Sequence, residues 1–446
     1  MVSVIGLNVF GLAYSACLAK AGIKILATDL DDELVMGIQE AAMPSFETGL
    51  DQYYQEAVNT QNLEITTNVR KVINDSKIIF ITGIITIEDE VLEGLRFIRL
   101  IIQKIAGQMT DDKVIVIQST VPPGTFEKMK ILVEETLQQR EWEKQEKPKY
   151  SLVISPIFSN AGALIKDLKR PKMAVLGIEN GFAAQELTDI YQQIGVKENA
   201  IFLTSPIEAE TARYFIDGFR AVKMSYMNEM ALLFDRIGVD MNLQRQIAEK
   251  NPHLFEKQII LGAGFGGKQF NQNLQMMINF AKNQEMVLEM LEAAVTTNKK
   301  QAMAIVEKIQ MIVGSLEGKT IAVLGIAAFP GSDDLSEAPS LTIIKEMINQ
   351  GANVSIFSYE GFTEVKWRLY KESSQISFST KPIDAGRNAD AIVVLSKWPE
   401  ASKLNLEKLA AVAYKPLLID VCNAFFKRKR IKELFDYYPL GIGREE

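Results

Sequence analysis

Val4-Ile5-Gly6-Leu7-Asn8-Val9-Phe10-Gly11 is the stretch on which the fold turns. A β-branched run ends in a glycine turn that opens an apolar helix, close to the pattern G-x-G-x-x-G. In that pattern the first glycine makes a tight turn. The second lets the backbone approach a pyrophosphate, which sits at the helix N-terminus. Asp29 closes the next β-branched run roughly twenty residues on, where an acidic side chain holds a ribose hydroxyl. An aspartate there favours NAD over NADP, whose 2′-phosphate it would repel. Asn8 stands at the middle glycine. A side chain there crowds the phosphates, although Asn tolerates unusual backbone angles better than most residues. Two readings stand: a dinucleotide held at Gly6, Asn8, Gly11 and Asp29, or a fold of this type that no longer binds one.

Outward from this loop, the strand-length runs Ile23–Thr28, Ile78–Ile81, Val114–Ile117, Ser151–Ser155 and Met173–Gly177 alternate with helical sequence, as parallel strands buried on both faces do. Leu132–Tyr150, rich in Glu, Lys and Gln, reads as a helix end and an exposed loop. Long helical patterns follow over Glu208–Ile237 and Asn271–Val313. The second is rich in methionine (Met276, Met277, Met286, Met290), which suits adaptable helix packing. A second α/β unit opens with Leu316–Gly325 and continues with a helix near Ser340–Asn349, a turn at Gly351 and strands at Asn353–Ser358, Ala389–Ser396 and Pro416–Val421. The fold class is therefore α/β: two Rossmann-like doubly wound domains joined by a central helical region. The expected boundaries are 1–204, 205–314 and 315–446, with the helical middle as the place for dimerisation.

Composition narrows the classes. The chain has 446 residues, too many for one ordinary core. Hydrophobic residues make up 47% and charged residues 24%, as in globular proteins. With Lys and Arg at 49 against Asp and Glu at 56, the net charge of −7 argues against nucleic acid as a partner. Two cysteines, Cys17 and Cys422, imply no disulfide framework and fit a reducing cytoplasm. A single histidine, with no Cys/His cluster, argues against a zinc site, and no metal is expected. The apolar N-terminus lacks the basic start of a signal peptide, and the nucleotide turn accounts for it. The apolar runs are strand-length, so no membrane span is expected.

Further motifs carry a resemblance. Gly262-Ala-Gly-Phe-Gly-Gly267 followed by Lys268-Gln-Phe-Asn-Gln-Asn273 is similar to G-F-G-G-x-C-x-P-K-D, and Gln118-Ser-Thr-Val-Pro-Pro-Gly-Thr125 to K-S-T-V-P-x-G-T. Ala209–Glu229 resembles A-E-x-x-K-Y-x-x-N-x-x-x-A-x-K-x-x-x-x-N-E, and Gly325–Ser340 resembles G-x-A-F-K-P-x-T-D-D-x-R-x-S-P-S. On these the chain is identified as a member of the UDP-glucose/GDP-mannose dehydrogenases. The resemblance implies oxidation of a UDP-sugar alcohol in two steps with NAD. A cysteine adds to the intermediate aldehyde, and the resulting thioester is hydrolysed. A thiolate is the nucleophile, a Lys and an Asn stabilise charge on oxygen, and a Glu helps activate water.

At almost every one of those places this sequence departs. The resemblance puts the thiol at Gln269 and the Asp that closes the same signature at Asn273. It puts the Lys and Asn of K-Y-x-x-N at Arg213 and Asp217, and the two Glu of N-P-E-F-x-x-E-G at Ile157 and Ala161. Arginines of the family fall on Ser336, Cys422 and His253, its F-K-P lysine on Phe329, and its V-G-T-P run on Gly83-Ile84-Ile85-Thr86. Thr120 is retained and is expected at the cofactor. Lys223, Asn228 and the loop glycines Gly264, Gly266 and Gly267 with Phe265 are expected to shape the sugar site. Arg213 and Asp217, four apart on one helix, read as an ion pair filling an emptied pocket or as a new acid–base pair. Cys422 reads as a small buried residue rather than a relocated nucleophile.

Loss of nucleophile, base and anion stabilisers together removes the constellation as a unit. The expectation is a homologue without the four-electron oxidation: a pseudoenzyme, scaffold or partner subunit, cytoplasmic, forming a homodimer or pairing with an active relative. Two alternatives stand beside it. One is an altered NAD-dependent oxidoreductase performing a single two-electron step, with Asp217 as its base. The other is a module that binds or senses a dinucleotide or UDP-sugar without reacting.

Overall fold

A computed structural model describes residues 1–44, 47–83, 95–141, 146–160, 162–179, 181–250, 261–327, 334–358, 374–398 and 400–442. Their backbone contacts divide into two units, Met1–Ile216 with Gln275–Asn283, and Asp217–Leu274 with Gln284–Glu446.

The first unit is built on β1 (Val2–Ile5), β2 (Ile25–Thr28), β3 (Leu63–Ile65), β4 (Ile78–Ile81), β5 (Lys113–Ile117), β6 (Tyr150–Ile154), β7 (Ala174–Ile178) and β8 (Ile201–Thr204). They form one sheet in the order β3-β2-β1-β4-β5-β6-β7-β8. β6 and β7 run antiparallel, with Ile154 opposite Gly177, and the other neighbours run parallel. Alternate residues feed opposite faces. Val4, Phe80, Val114 and Val116 join the core beneath helix Val9–Lys20. Ile5, Ile79, Ile81, Ile115 and Ile117 join the core formed with helices Arg96–Gln108 and Thr125–Gln138. Helix Arg96–Gln108 buries Ile98, Ile101, Ile102 and Ile105, one stripe at helical spacing.

The second unit carries β9 (Thr320–Leu324), β10 (Asn353–Phe357), β11 (Ile376–Ser379), β12 (Ala391–Val394), β13 (Leu417–Asp420) and β14 (Asp436–Pro439), in the order β11-β10-β9-β12-β13-β14. All of these pairs are parallel. Ile321, Val323, Ile356 and Val393 face one core, and Ala322, Leu324, Ile392 and Val394 the other. In each sheet the first strand lies between neighbours reached in opposite directions, so a crevice opens at the carboxyl ends there.

The expected helix at Glu208–Ile237 is a single helix over Pro206–Ile237. Its leading proline needs no N–H and has its φ already set. The Asn271–Val313 pattern is instead two helices, Lys268–Asn283 and Glu289–Val313. Between them Glu285 takes φ +58°, a left-handed conformation that ends a helix. Met276 is buried as expected, whereas Met286 and Met290 are exposed at 58% and 71%. They lie beside the break, where the packing stripe ends. The Leu132–Tyr150 stretch holds the end of helix Thr125–Gln138 and the start of β6.

Gly6 and Gly11 are sterically obligatory. A Cβ on Gly6 would lie 2.2 Å from Thr82 O, and one on Gly11 would lie 1.8 Å from Gly6 O. Gly11→Ala is expected to cost about 3 kcal/mol or more in urea unfolding, because backbone must move. A loss below about 1 kcal/mol would show that the turn yields freely.

Candidate functional site

In the first unit, helix Val9–Lys20 begins at the carboxyl end of β1, and its first-turn amides need acceptors. Asn8 supplies one. Its Oδ1 accepts from Phe10 N at 3.0 Å and Gly11 N at 3.1 Å, while its Nδ2 donates to Thr82 O at 2.7 Å. The side chain thus caps the helix and ties it to the end of β4. Asn8 has φ −60° and ψ 174°, ordinary extended backbone. The tolerance of Asn for unusual angles is therefore not used here. Its hydrogen-bonding amide is.

Asp29 is 9% exposed, and its carboxylate accepts from Leu7 N at 2.6 Å and Asp31 N at 3.2 Å. It clamps the glycine turn and retains lone pairs at the surface for a hydroxyl. Thr120 is buried in the segment after β5, next to Ser119, whose hydroxyl exchanges hydrogen bonds with Gly83 N and Gly83 O. The residues therefore suit the ribose end of a dinucleotide. At the pyrophosphate turn, Asn8 already occupies two of the donors.

Arg213 is buried and spans the loop after β6. Its guanidinium donates to Ile157 O at 3.0 Å, Ser159 O at 3.3 Å and Asn160 Oδ1 at 3.2 Å. Five donors in a rigid fork suit it to pinning a loop. Ile157 lines a cavity of about 230 Å³ whose wall includes Phe10, Tyr14, Gln118, Ser155 and Tyr191. Tyr191 bridges Ser155 and Gln118 by hydroxyl contacts of 2.7 and 2.8 Å, and burial raises the phenols of Tyr14 and Tyr191. Ala161, Ile84-Ile85-Thr86, His253, Phe329 and Asp333 lie outside the described residues.

In the second unit the loop Gly262–Gly267 is anchored by side chains. Asn228 Oδ1 accepts from Gly262 N at 3.2 Å, Gln301 Nε2 donates to Gly262 O, and Asn298 exchanges hydrogen bonds with both backbone groups of Phe265. A Cβ on Gly264 would meet Asn298 Oδ1 at 2.5 Å, and one on Gly266 would meet Glu337 O at 2.7 Å. The structure thus makes Asn228 a loop anchor. Lys223, one helical turn earlier, is half-buried. Sequence reasoning missed Asn298, since an asparagine inside a helix of mixed polarity carries no local signal.

Helix Lys268–Asn283 carries the positions of the signature's cysteine and closing aspartate, Gln269 and Asn273. Gln269 Nε2 donates to Asn273 Oδ1 at 2.8 Å, and Asn273 Nδ2 donates to Asp217 Oδ2 at 2.8 Å. Asn273 is fully buried and Asp217 is 1% exposed. Gln269, Asn273 and Asp217 are therefore brought together as one hydrogen-bonded chain. Beside the loop, a cavity of about 330 Å³ is lined by Phe265, Phe270, Pro339, Arg220, Lys397 and Cys422.

Cys422 is buried, as expected of a small core residue, yet it touches that cavity. Burial, reinforced by the Asp420 carboxylate, pushes its thiol well up. Burial raises Cys17 to about 11. Both are thus protonated thiols near neutral pH, and a thiol is a poor nucleophile.

Two doubly wound sheets, each with a glycine turn after its first strand, define a protein with two nucleotide-binding-type units. Residues 1–195 match the NAD binding domain of the UDP-glucose/GDP-mannose dehydrogenase family, 207–300 its central domain and 322–427 its UDP binding domain; the chain belongs to that family. It is 28% identical over 442 residues to UDP-glucose 6-dehydrogenase TuaD of Bacillus subtilis, covering 99% of this chain and 93% of that one. It is 27% identical over 445 residues to UDP-glucose 6-dehydrogenase of Pseudomonas aeruginosa, covering 99% and 97%. The fold is that of a UDP-glucose dehydrogenase from Pyrobaculum islandicum, with a TM-score of 0.85 at 21% identity over 99% of this chain and 98% of that one. Among the described residues no helix is long and apolar enough to cross a membrane.

Asn8→Gly frees the amides of Phe10 and Gly11 at a capping cost of a few tenths of a kcal/mol. NAD binding, read by calorimetry, should strengthen about tenfold, the value of one charge-assisted hydrogen bond. Unchanged affinity would show that the Asn8 amide does not compete. The thiols give a second test. At pH 8 a thiol titrating near 11, as Cys17 does, is about one part in a thousand thiolate, and burial pushes Cys422 up as well, so iodoacetamide should label both only on unfolding. Fast labelling of the native chain would contradict that assignment.

Proposed function

We propose that this chain is a nucleotide-sugar-binding member of its family that does not carry out the thiol-dependent, four-electron oxidation to a uronic acid. The observation that carries this reading is the Gln269–Asn273–Asp217 chain of hydrogen bonds. The family resemblance places the nucleophile at Gln269. A carboxamide cannot add to an aldehyde as a thiolate does, and so cannot form the thiohemiacetal from which the second hydride leaves. Asp217, at the place of an oxyanion-stabilising Asn, brings an acceptor where a donor is needed.

Several retained features support binding without that chemistry. NAD, when bound, would accept a hydride, and Gly6, Gly11, Asp29 and Thr120 are the residues that would hold it. The glycine loop with Phe265, and the cavity it borders, suits a nucleotide sugar. The relatives named above act on UDP-glucose, which makes UDP-sugars the first ligands to try. We take 1–204, 205–314 and 315–446 as the three domains. The middle one would pair with a second copy or an active relative in the cytoplasm, where this chain would serve as scaffold or sensor.

A second reading keeps one two-electron step. A single hydride transfer needs a base and no thiol, and Asp217 is a carboxylate already in a polar chain.

The purified chain, incubated with NAD and with UDP-glucose, UDP-N-acetylglucosamine or GDP-mannose, should form neither NADH nor uronic acid. At least one of these ligands should raise the melting temperature, since a ligand that binds only the native state stabilises it. Turnover to an acid would overturn the proposal. NADH with an aldehyde, abolished by Asp217→Asn, would establish the second reading in its place.

A further inference from the structure

Between β13 and β14 the chain reads Phe425-Phe426-Lys427-Arg428-Lys429-Arg430-Ile431-Lys432, which places five cations in six residues. Lys and Arg number 49 in the whole chain and Asp and Glu 56, so without these five the net charge is −12. Like charges set so closely repel one another, and a block of this kind often serves an interaction. The apolar members of the segment turn inward: Phe425, Ile431 and Phe435 join the core of Trp398, Leu409 and Leu418. Lys427, Lys429, Arg430 and Lys432 are left exposed, in a turn where Arg430 takes φ +69°, the left-handed region.

The fold itself uses the two arginines. Arg428 donates to Ser402 O at 2.5 Å and to Leu404 O at 3.2 Å. Arg430 Nε donates to Glu433 at 2.8 Å, and its guanidinium stands 3.7 Å from Glu407. The lysines have no such employment. Among the described residues, Lys427, Lys429 and Lys432 make no ion pair. By holding the carbonyls on either side of it, Arg428 also brings Lys403 to this surface. Lys403 is exposed and likewise makes no ion pair among the described residues. Two segments distant in sequence thus present lysines together, with their charges uncompensated.

Two neighbouring features narrow what such a surface meets. The groove beside it, of about 760 Å³, sets Asp240, Glu433 and Asp436 against Arg428, Arg430 and Lys432. Its charges balance, so a polyanion gains little by entering it. β14 is a sheet edge, but Pro439 offers no N–H and Lys308 holds its carbonyl at 3.1 Å. A partner's strand would find an interrupted ladder there. What remains is the exposed basic turn itself, with half-buried Phe426 at its base. A plane of anionic headgroups suits it. Charges more than about 8 Å apart are largely screened at physiological salt, so the turn can touch the plane while the acidic remainder of the chain is screened from it. Mobile anionic lipids gather under a basic segment and strengthen binding about fivefold for each lysine. We propose that Lys403, Lys427, Lys429 and Lys432 dock this chain on an anionic lipid surface.

Co-sedimentation of the full chain with large vesicles tests this. The probes are vesicles of phosphatidylcholine alone, and of phosphatidylcholine with about one-quarter phosphatidylglycerol. The parent should bind only the anionic vesicles, and high salt should release it. Lys427→Gln, Lys429→Gln and Lys432→Gln together should weaken that binding about a hundredfold. These side chains are exposed, so the melting temperature should stay where it is. A control, Lys104→Gln with Lys128→Gln and Lys197→Gln, removes the same charge from exposed positions of the first unit and should bind like the parent. Equal loss in both variants would reduce the effect to net charge and overturn the proposal. So would anionic vesicles left unbound by the parent, or bound as well by the first variant. Retention by a double-stranded oligonucleotide or by polyglutamate, without vesicle binding, would overturn the lipid assignment and give the surface to that polyanion. Vesicle binding needs neither NAD nor a nucleotide sugar, so its failure leaves the nucleotide-sugar reading untouched.

Discussion

A polar group taken out of water must find a partner inside the protein or cost more than the fold can spare. That constraint governs the places where chemistry would be expected. At the start of helix Val9–Lys20 the amides of Phe10 and Gly11 are met by the Asn8 side chain. After β6 the carbonyls of Ile157 and Ser159 are met by Arg213. On helix Lys268–Asn283 the amides of Gln269 and Asn273 run to Asp217. Each is a satisfied internal network, and a satisfied network gains rigidity and a defined geometry. A reactive centre needs the reverse arrangement: donors and acceptors held ready for charge that develops only in the transition state. The same atoms cannot serve both purposes unless they are first released from their present partners. The departures from the family pattern are therefore coupled. Gln269, Asn273 and Asp217 make sense as a set, since replacing any one of them would strand a buried polar group on the next.

The interior of both sheets was legible in the sequence because a strand covered on two faces is apolar over most of its length. Ile78–Ile81 and the five residues of Lys113–Ile117 are buried along their whole length, and Val2–Ile5 along all but its first residue. The strands that the pattern did not reveal are Leu63–Ile65, Ile201–Thr204, Ile376–Ser379 and Asp436–Pro439. These are the four edges of the two sheets. An edge strand has a neighbour on one side only, and its sequence is free to be short and polar. Glu64 and Phe202 are exposed, and Asp436 begins its strand in solvent. The missed break between the two later helices has a similar origin. Helical periodicity continues through Gln284–Leu288, and nothing in the residue types forces Glu285 into the left-handed region it adopts.

The candidate site was legible as positions but not as interactions. That Asn8 would stand in the nucleotide turn could be read directly. That its amide would close the turn by bonding Phe10, Gly11 and Thr82 depended on the end of β4 arriving 74 residues later in the chain. Asn298 illustrates the same gap. It is an unremarked polar residue on a helix, and it matters because of backbone brought to it by a distant segment.

Persistence of the glycines is weaker testimony to function than the motif suggests. Gly6 is required because Thr82 O occupies the space a side chain would take, and Gly11 because Gly6 O does. Those contacts belong to the strand–turn–helix unit itself and hold whether or not a dinucleotide is present. Gly264 and Gly266 are likewise forced by Asn298 and by the backbone at Glu337. A chain that kept the fold and abandoned the reaction would keep these glycines. The departures from the family pattern fall elsewhere: Asn8, Gln269, Asn273, Asp217 and Cys422. At Asn8, Gln269, Asn273 and Cys422 the bare backbone, nucleophile or charge of the family pattern has been exchanged for a residue that bonds inward, and at Asp217 an acceptor stands in place of an amide.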